Sequence, residues 1–181
     1  MSEFVTLPPG ALPTELGPTE EMLLQAHALA QSVKQGYVAY CDGACHGNGA
    51  KRATPGGWGV LLMHDGRVVL GRGGSPDTTN NQMELQGAIA ALKHIPALQE
   101  VVLRTDSQYV VKGCTEWRKG WQRNGMVNSK KEPVANADLW LALWAEADRR
   151  KVKFEWVRGH NGDIGNEVAD RLATTWAKQV R

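Results

Sequence analysis

The sequence predicts an α/β fold in which a five-stranded mixed sheet, three antiparallel strands followed by two parallel ones, is flanked by helices on both faces. Three observations predict it. Patterned segments follow the order βββαβααβα. Asp65-Gly66 stands between two strand-like runs as a two-residue hairpin signal. The later strands are separated by helical text long enough for crossovers, which places parallel strands beside antiparallel ones.

The bounds of the chain suit that fold. Its 181 residues fit one domain with room for an appendage, on a prior of roughly 100–200 residues per domain. It is 42% hydrophobic and 22% charged, the mix of an ordinary globular protein, and no apolar run reaches the ~18 residues of a membrane span. Residues 1–34 lack the basic start and apolar stretch of a secretory leader. Cys41, Cys45 and Cys114 have no paired metal spacing and fit a reducing compartment, so a cytoplasmic location is expected.

Residues 1–18 contain Pro8, Pro9, Pro13 and Pro18 with little periodicity, and an irregular or disordered lead-in is expected there. Met22, Ala26, Leu29, Ala30 and Val33 then recur at helical spacing, with Glu20 and Glu21 in the first turn and Gly36 as a stop. Residues 37–42 read as a strand, 43–57 as a Gly-rich loop, and 58–64 with 67–72 as the hairpin. Met83, Ala88, Ala91 and Leu92 mark a helix over 80–94 that Pro96 closes. Residues 101–106 form the next strand, followed by short helical text over 108–122. Asn136 is the expected N-cap of a helix running to Arg150, with Leu139, Leu143 and Ala147 on one face. A strand over 151–157 and a helix over 166–178 finish the chain.

Acidic residues fall where this pattern needs none. Asp42 and Asp106 end strands, and in neighbouring parallel strands both lie at the carboxyl edge where open α/β sheets place their sites. Glu84, in the helix after the hairpin, and Asp170, in the last helix, can reach the same edge. Singly, each would be a turn former or a solvated helix residue. Together, four carboxylates without basic partners would repel one another and raise their pKa values unless a cation held the centre. Oxygen-only ligation suits Mg2+ or Mn2+ rather than zinc.

Four blocks carry a family resemblance: Tyr40-Cys41-Asp42-Gly43-Ala44-Cys45, Thr78-Thr79-Asn80-Asn81-Gln82-Met83-Glu84-Leu85, Thr105-Asp106-Ser107-Gln108-Tyr109-Val110, and Gly159-His160-Asn161-Gly162 leading to Gly165-Asn166-Glu167-Val168-Ala169-Asp170. In this order and spacing the chain resembles type 1 ribonuclease H over about residues 37–180. The resemblance implies a ribonuclease H-like fold and an endonuclease that cleaves the RNA strand of RNA–DNA hybrids. It implies a division into a 1–36 extension with one acidic amphipathic helix and a 37–181 catalytic domain. It implies that Asp42, Glu84, Asp106 and Asp170 are catalytic carboxylates holding two Mg2+ ions, with Mn2+ a substitute, and that His160 assists turnover. Cleavage through two metals would leave 5′-phosphate and 3′-hydroxyl ends. A monomer acting on hybrid, with no membrane partner, is expected.

Hybrid recognition requires sensing the 2′-hydroxyl. Asn48, Asn80, Asn81 and Gln108 match polar positions of the family motifs, and Asn136 joins the expected substrate-binding set. Residues 112–132 carry Lys112, Arg118, Lys119, Arg123, Lys130 and Lys131 against Glu116 and Glu132. With Trp117 and Trp121 interleaved at i, i+4, this stretch resembles the family's basic protrusion, which grips the DNA strand's phosphates. Lys112, Trp117, Lys119, Trp121 and Arg123 are the candidates there; Trp140 and Trp144, at the same spacing, read as core. The net charge of +2 thus conceals an acidic 1–35, with four glutamates against Lys34, and a basic remainder.

The chain departs from the family pattern at Met126 and Val127, where many members carry an aromatic and a basic residue, and in a longer loop containing Lys51 and Arg52. Thr174 stands where some members have a basic residue. The acidic helix is not the basic, aromatic hybrid-binding module that some members carry at the N-terminus. A nucleotide-binding loop is excluded at 43–57, because Arg52 stands where a dinucleotide fingerprint needs Gly and no Gly-Lys-Ser/Thr follows. Two rivals remain: a DNA-strand-transfer enzyme on the same fold, disfavoured by the carboxylate order and the Gly-His loop, and a non-catalytic hybrid-binding module, disfavoured because no carboxylate is lost.

Overall fold

A computed structural model describes residues 1–47 and 54–180. Among the described residues the sheet has six strands: β1 (Ser2–Leu7), β2 (Tyr37–Cys45), β3 (Thr54–His64), β4 (Arg67–Thr78), β5 (Glu100–Thr105) and β6 (Lys151–Trp156), in the order β1-β4-β3-β2-β5-β6. β1 to β4, β4 to β3 and β3 to β2 pair antiparallel, whereas β2 to β5 and β5 to β6 pair parallel. At the β3–β4 turn, Asp65 and Gly66 both take positive φ (47° and 74°), as a type I′ hairpin requires.

The sixth strand corrects the expectation of an irregular lead-in. Ser2 lies opposite Gly73 and Leu7 opposite Val68, closing what would otherwise be the open edge of β4. Phe4 stacks on His94 at 4.2 Å, and Leu7 is buried. The prolines that suggested disorder begin at Pro8, just past the strand. The Gly-rich stretch differs too: Gly43, Ala44 and Cys45 pair with Trp58, Gly57 and Gly56, so both ends of the expected loop are strand.

Helices α1 (Glu20–Ala30), α2 (Asn80–Lys93), α3 (Gln108–Lys112), α4 (Arg118–Arg123), α5 (Ala137–Asp148) and α6 (Ile164–Gln179) cover the sheet. One core gathers Met83, Leu85 and Leu92 of α2 with Trp140, Leu143 and Trp144 of α5. The other gathers Leu23, Ala26 and Ala30 of α1 with Val168, Ala169 and Leu172 of α6. Helix starts follow from side-chain caps: Thr79 accepts from the Gln82 backbone N–H, Ser107 from Val110 and Asp163 from Asn166. A π-helical turn, Gly113–Trp117, joins α3 to α4. Among the described residues no helix is long and apolar enough to cross a membrane.

Candidate active site

Three of the four predicted carboxylates converge. Asp42, Glu84 and Asp106 offer oxygens that lie within 4.8 Å of one another. Asp42 is late in β2 and Asp106 directly follows β5, so the parallel pairing of these strands brings both to one edge. Glu84 arrives from α2 because that helix packs against β2 at Gly43, where a Cβ would stand 2.5 Å from the Glu84 backbone nitrogen. Asp42 and Glu84 are each only 5% exposed. Asp170, half-buried in α6, lies outside the tight group, yet its charge is felt at both buried carboxyls.

The electrostatics are those of crowded like charges. Burial first, then Glu84, Asp106 and Asp170, push the Asp42 carboxyl well above its ordinary range, against one hydrogen bond from the Gly43 N–H at 2.9 Å. Burial and Asp106 do the same to Glu84. Glu84 Oε2 is buried with no hydrogen-bond partner among the described residues. An orphaned acceptor in an all-oxygen group fits a hard divalent cation, which would relieve both the repulsion and the missing partner.

Asp106 is held by groups that sequence reasoning missed. Its Oδ2 accepts from Asn166 Nδ2 at 3.4 Å, and its backbone carbonyl accepts from Trp156 Nε1 at 3.0 Å. Asn166 is one helical turn before Asp170, so the i, i+4 spacing was a signal that both face the same edge. Gly159 lies against Asp106, where a Cβ would fall 2.5 Å from Oδ2. The exposed His160 follows it with φ of 52°. Below this edge, paired positions on β2, β5 and β6 carry Tyr40, Arg104 and Glu155; the Arg104 guanidinium donates to Tyr40 OH at 3.0 Å and to Glu155 at 2.9 Å.

The predicted substrate-binding residues divide. Asn80 is half-buried and Asn81 exposed in the first turn of α2, and the exposed Gln108 opens α3. Asn48, with Lys51 and Arg52, lies outside the described residues. In the protrusion Lys119 and Arg123 are exposed and Lys112 is half-buried. Arg118 instead makes two hydrogen bonds to the Asp148 carboxylate and lies over Trp144. Trp117 and Trp121 are half-buried and join an aromatic cluster: Trp117 to Trp121 at 5.3 Å, and Trp121 to Trp140 at 5.5 Å. Trp140 and Trp144 are core, as expected. Met126 takes φ of 63° and packs against the core, its N–H donating to the Trp121 carbonyl at 2.7 Å.

Asn136 holds the N-cap position expected of it, its carbonyl accepting from the Trp140 N–H at 3.0 Å, but its side chain does not cap. It precedes α5 in a left-handed conformation (φ 59°, ψ 30°). The side chain turns instead to Gln82 and Tyr109.

A family model described as RNase H matches residues 34–178. The chain is 51% identical over 142 residues to a ribonuclease H of Pseudomonas entomophila, covering 78% of this chain and 93% of that one. It is 49% identical over 143 residues to a ribonuclease H of Marinobacter nauticus, covering 79% and 95%. Among solved structures it resembles LC9-RNase H1, described as a type 1 RNase H with the type 2 active-site motif. That match has a TM-score of 0.71 and 34% identity, covering 82% of this chain and 74% of the other.

Proposed function

The chain belongs to the ribonuclease H family, and from that premise we propose that it is an endonuclease hydrolysing the RNA strand of RNA–DNA hybrids, with Asp42, Glu84, Asp106 and Asp170 holding two divalent metal ions. The observation that carries this reading is the like-charged group of buried Asp42 and Glu84 with half-buried Asp106, whose Glu84 Oε2 has no hydrogen-bond partner among the described residues. When bound, two Mg2+ ions, or Mn2+ in their place, supply the Lewis acidity that activates an attacking water and stabilises the departing 3′-oxygen. The ends are then 5′-phosphate and 3′-hydroxyl.

The chain's own residues prepare that chemistry. Asp42 and Glu84 present oxygens from buried positions, where each interaction with a cation is strengthened. Asn166 and Trp156 fix Asp106 at its carboxylate and its carbonyl. His160, in the loop that Gly159 brings against Asp106, moves a proton at the leaving product. Asn48, Asn80, Asn81, Gln108 and Asn136 read the sugar and base edges of the minor groove, and Lys112, Trp117, Lys119, Trp121 and Arg123 hold the DNA strand. In this reading residues 37–181 are the catalytic domain and 1–36 an extension that closes the β4 edge and covers α6.

The test offers end-labelled RNA–DNA hybrid, double-stranded RNA and DNA duplex to the full chain with Mg2+ or Mn2+, and maps the ends. Cutting confined to the RNA of the hybrid, with 5′-phosphate products, is expected. Cutting of the DNA duplex, or no cutting of hybrid, overturns the reading.

A further inference from the structure

Gln82 is the third residue of α2, and part of its role is ordinary capping: its Oε1 accepts from the Thr79 backbone N–H at 3.1 Å, completing a capping box. Thr78 Oγ1 donates to the same oxygen at 3.1 Å. What capping does not require is the other end of the amide. Gln82 Nε2 donates to Asn136 Oδ1 at 3.3 Å, 54 residues away and at the start of α5. Asn136 Nδ2 donates in turn to Tyr109 OH at 3.1 Å, and Trp140 Nε1 donates to that same oxygen at 3.2 Å.

The direction of this chain of hydrogen bonds is fixed at the Gln82 end, while the Tyr109 hydroxyl, able to accept or donate, follows it. A backbone N–H and an indole N–H can only donate. The Thr79 N–H therefore holds Gln82 with its oxygen inward and its NH2 toward Asn136, so Asn136 must meet it with Oδ1. At the other end, Trp140 makes the Tyr109 oxygen an acceptor, consistent with Nδ2 of Asn136 facing it. One N–H and one lone pair of the Asn136 amide remain for a substrate, and which side offers which is set by Gln82.

We infer that Gln82 is a positioning residue for hybrid recognition, acting through Asn136 by fixing which way its amide faces. This rests on the hybrid-cleaving reading above. Gln82→Glu is the informative change, because its carboxylate still accepts from Thr79 and keeps the cap, but it presents an acceptor to Asn136 Oδ1. Two acceptors repel, Asn136 turns over, and Tyr109 must then donate to it.

The experiment measures steady-state cleavage of hybrid by the full chain as wild type, Gln82→Glu, Asn136→Ala and the double variant. It also follows the Asn136 side-chain amide by 15N–1H NMR without substrate. For Gln82→Glu, KM is expected to rise about tenfold, the value of one well-made polar contact, with kcat within about twofold. In the Asn136→Ala background the same change is expected to raise KM less than about twofold, since its route is gone. The Asn136 amide resonances move in Gln82→Glu. An unchanged KM, a full tenfold effect on top of Asn136→Ala, or unmoved amide resonances would overturn the inference. If wild type cleaves no hybrid, the proposed function fails instead, and the NMR arm still decides whether Gln82 orients Asn136.

Discussion

The carboxylate group and the basic protrusion hold charge in opposite ways. Asp42 and Glu84 are buried among like charges with one orphaned oxygen, so the folded chain carries an electrostatic cost at that edge. Lys119 and Arg123 stand exposed on α4, where solvent screens them and nothing is strained. Beneath them Trp117 and Trp121 are half-buried, each ring packed on the aromatic cluster on one side and open on the other. The difference teaches where each kind of substitution acts. A buried cluster is a unit that one change disables, whereas an exposed cationic surface loses function in graded steps.

The largest effect is expected at Asp106. Asp106→Asn keeps the shape and the contacts from Asn166 and Trp156, but removes a charge from the metal-holding group. A loss of kcat by about a thousandfold or more is expected, as for removal of a group that stabilises developing charge. Hybrid binding by gel shift should stay within a few-fold. Cleavage near the parent rate would separate Asp106 from the chemistry and erase the contrast with the protrusion.

Glu84→Gln tests the cost directly. It removes one of the repelling charges, and its new NH2 can donate to Asp42. In chelator, the variant is expected to melt about 2–4 °C above wild type, the equivalent of about 1 kcal/mol for a chain of this size. Added Mg2+ should stabilise wild type by mass action and the variant much less. A variant that melts lower than wild type in chelator would show that the cluster carries no repulsive cost.

The two regions also differ in how much of them the sequence disclosed. Asp42 and Asp106 were legible because an acid at the end of an apolar strand breaks a local pattern, and parallel pairing of the two strands follows from the crossovers. Asn166 was not, since its partner Asp106 is 60 residues away and its one local signal, the i, i+4 spacing to Asp170, names a helix face but not a partner. Ser2–Leu7 escaped because a six-residue strand declares itself only through its partner at Val68–Gly73, far along the chain. For Asn136, the residue type fits an N-cap, but the left-handed backbone turns its side chain away from the helix it precedes. In the protrusion the count of cations was readable, but which of them is already spent on an internal partner was not.

Among the protrusion's exposed cations, Lys119→Ala with Arg123→Ala is expected to raise KM for hybrid about three- to tenfold with little change in kcat. The log–log salt slope should become shallower by about one to two units, given roughly −0.9 per phosphate neutralised on B-form duplex. An unchanged slope would mean that α4 meets no phosphate, and the protrusion would then belong with the structural half of the molecule.

The smallest effect separates Arg118 from its neighbours. Its guanidinium holds the Asp148 carboxyl below the ordinary carboxylate range through a two-bonded contact, while lying over Trp144. Because the folded value is lowered, the pair's contribution is present at neutral pH. It persists down to the unfolded carboxylate value of about 4 and is lost as pH falls through the lower folded value. Asp148 is more than half exposed, so screening limits the effect: Asp148→Asn is expected to cost about 0.5 kcal/mol or less at pH 7 and nothing near pH 2. The salt slope of hybrid binding should not change, because Arg118 is committed to the fold and Lys119 and Arg123 to the substrate. If Asp148→Asn instead steepened that slope, the released guanidinium would be reaching a phosphate, and Asp148 would be limiting the grip of α4 rather than bracing it.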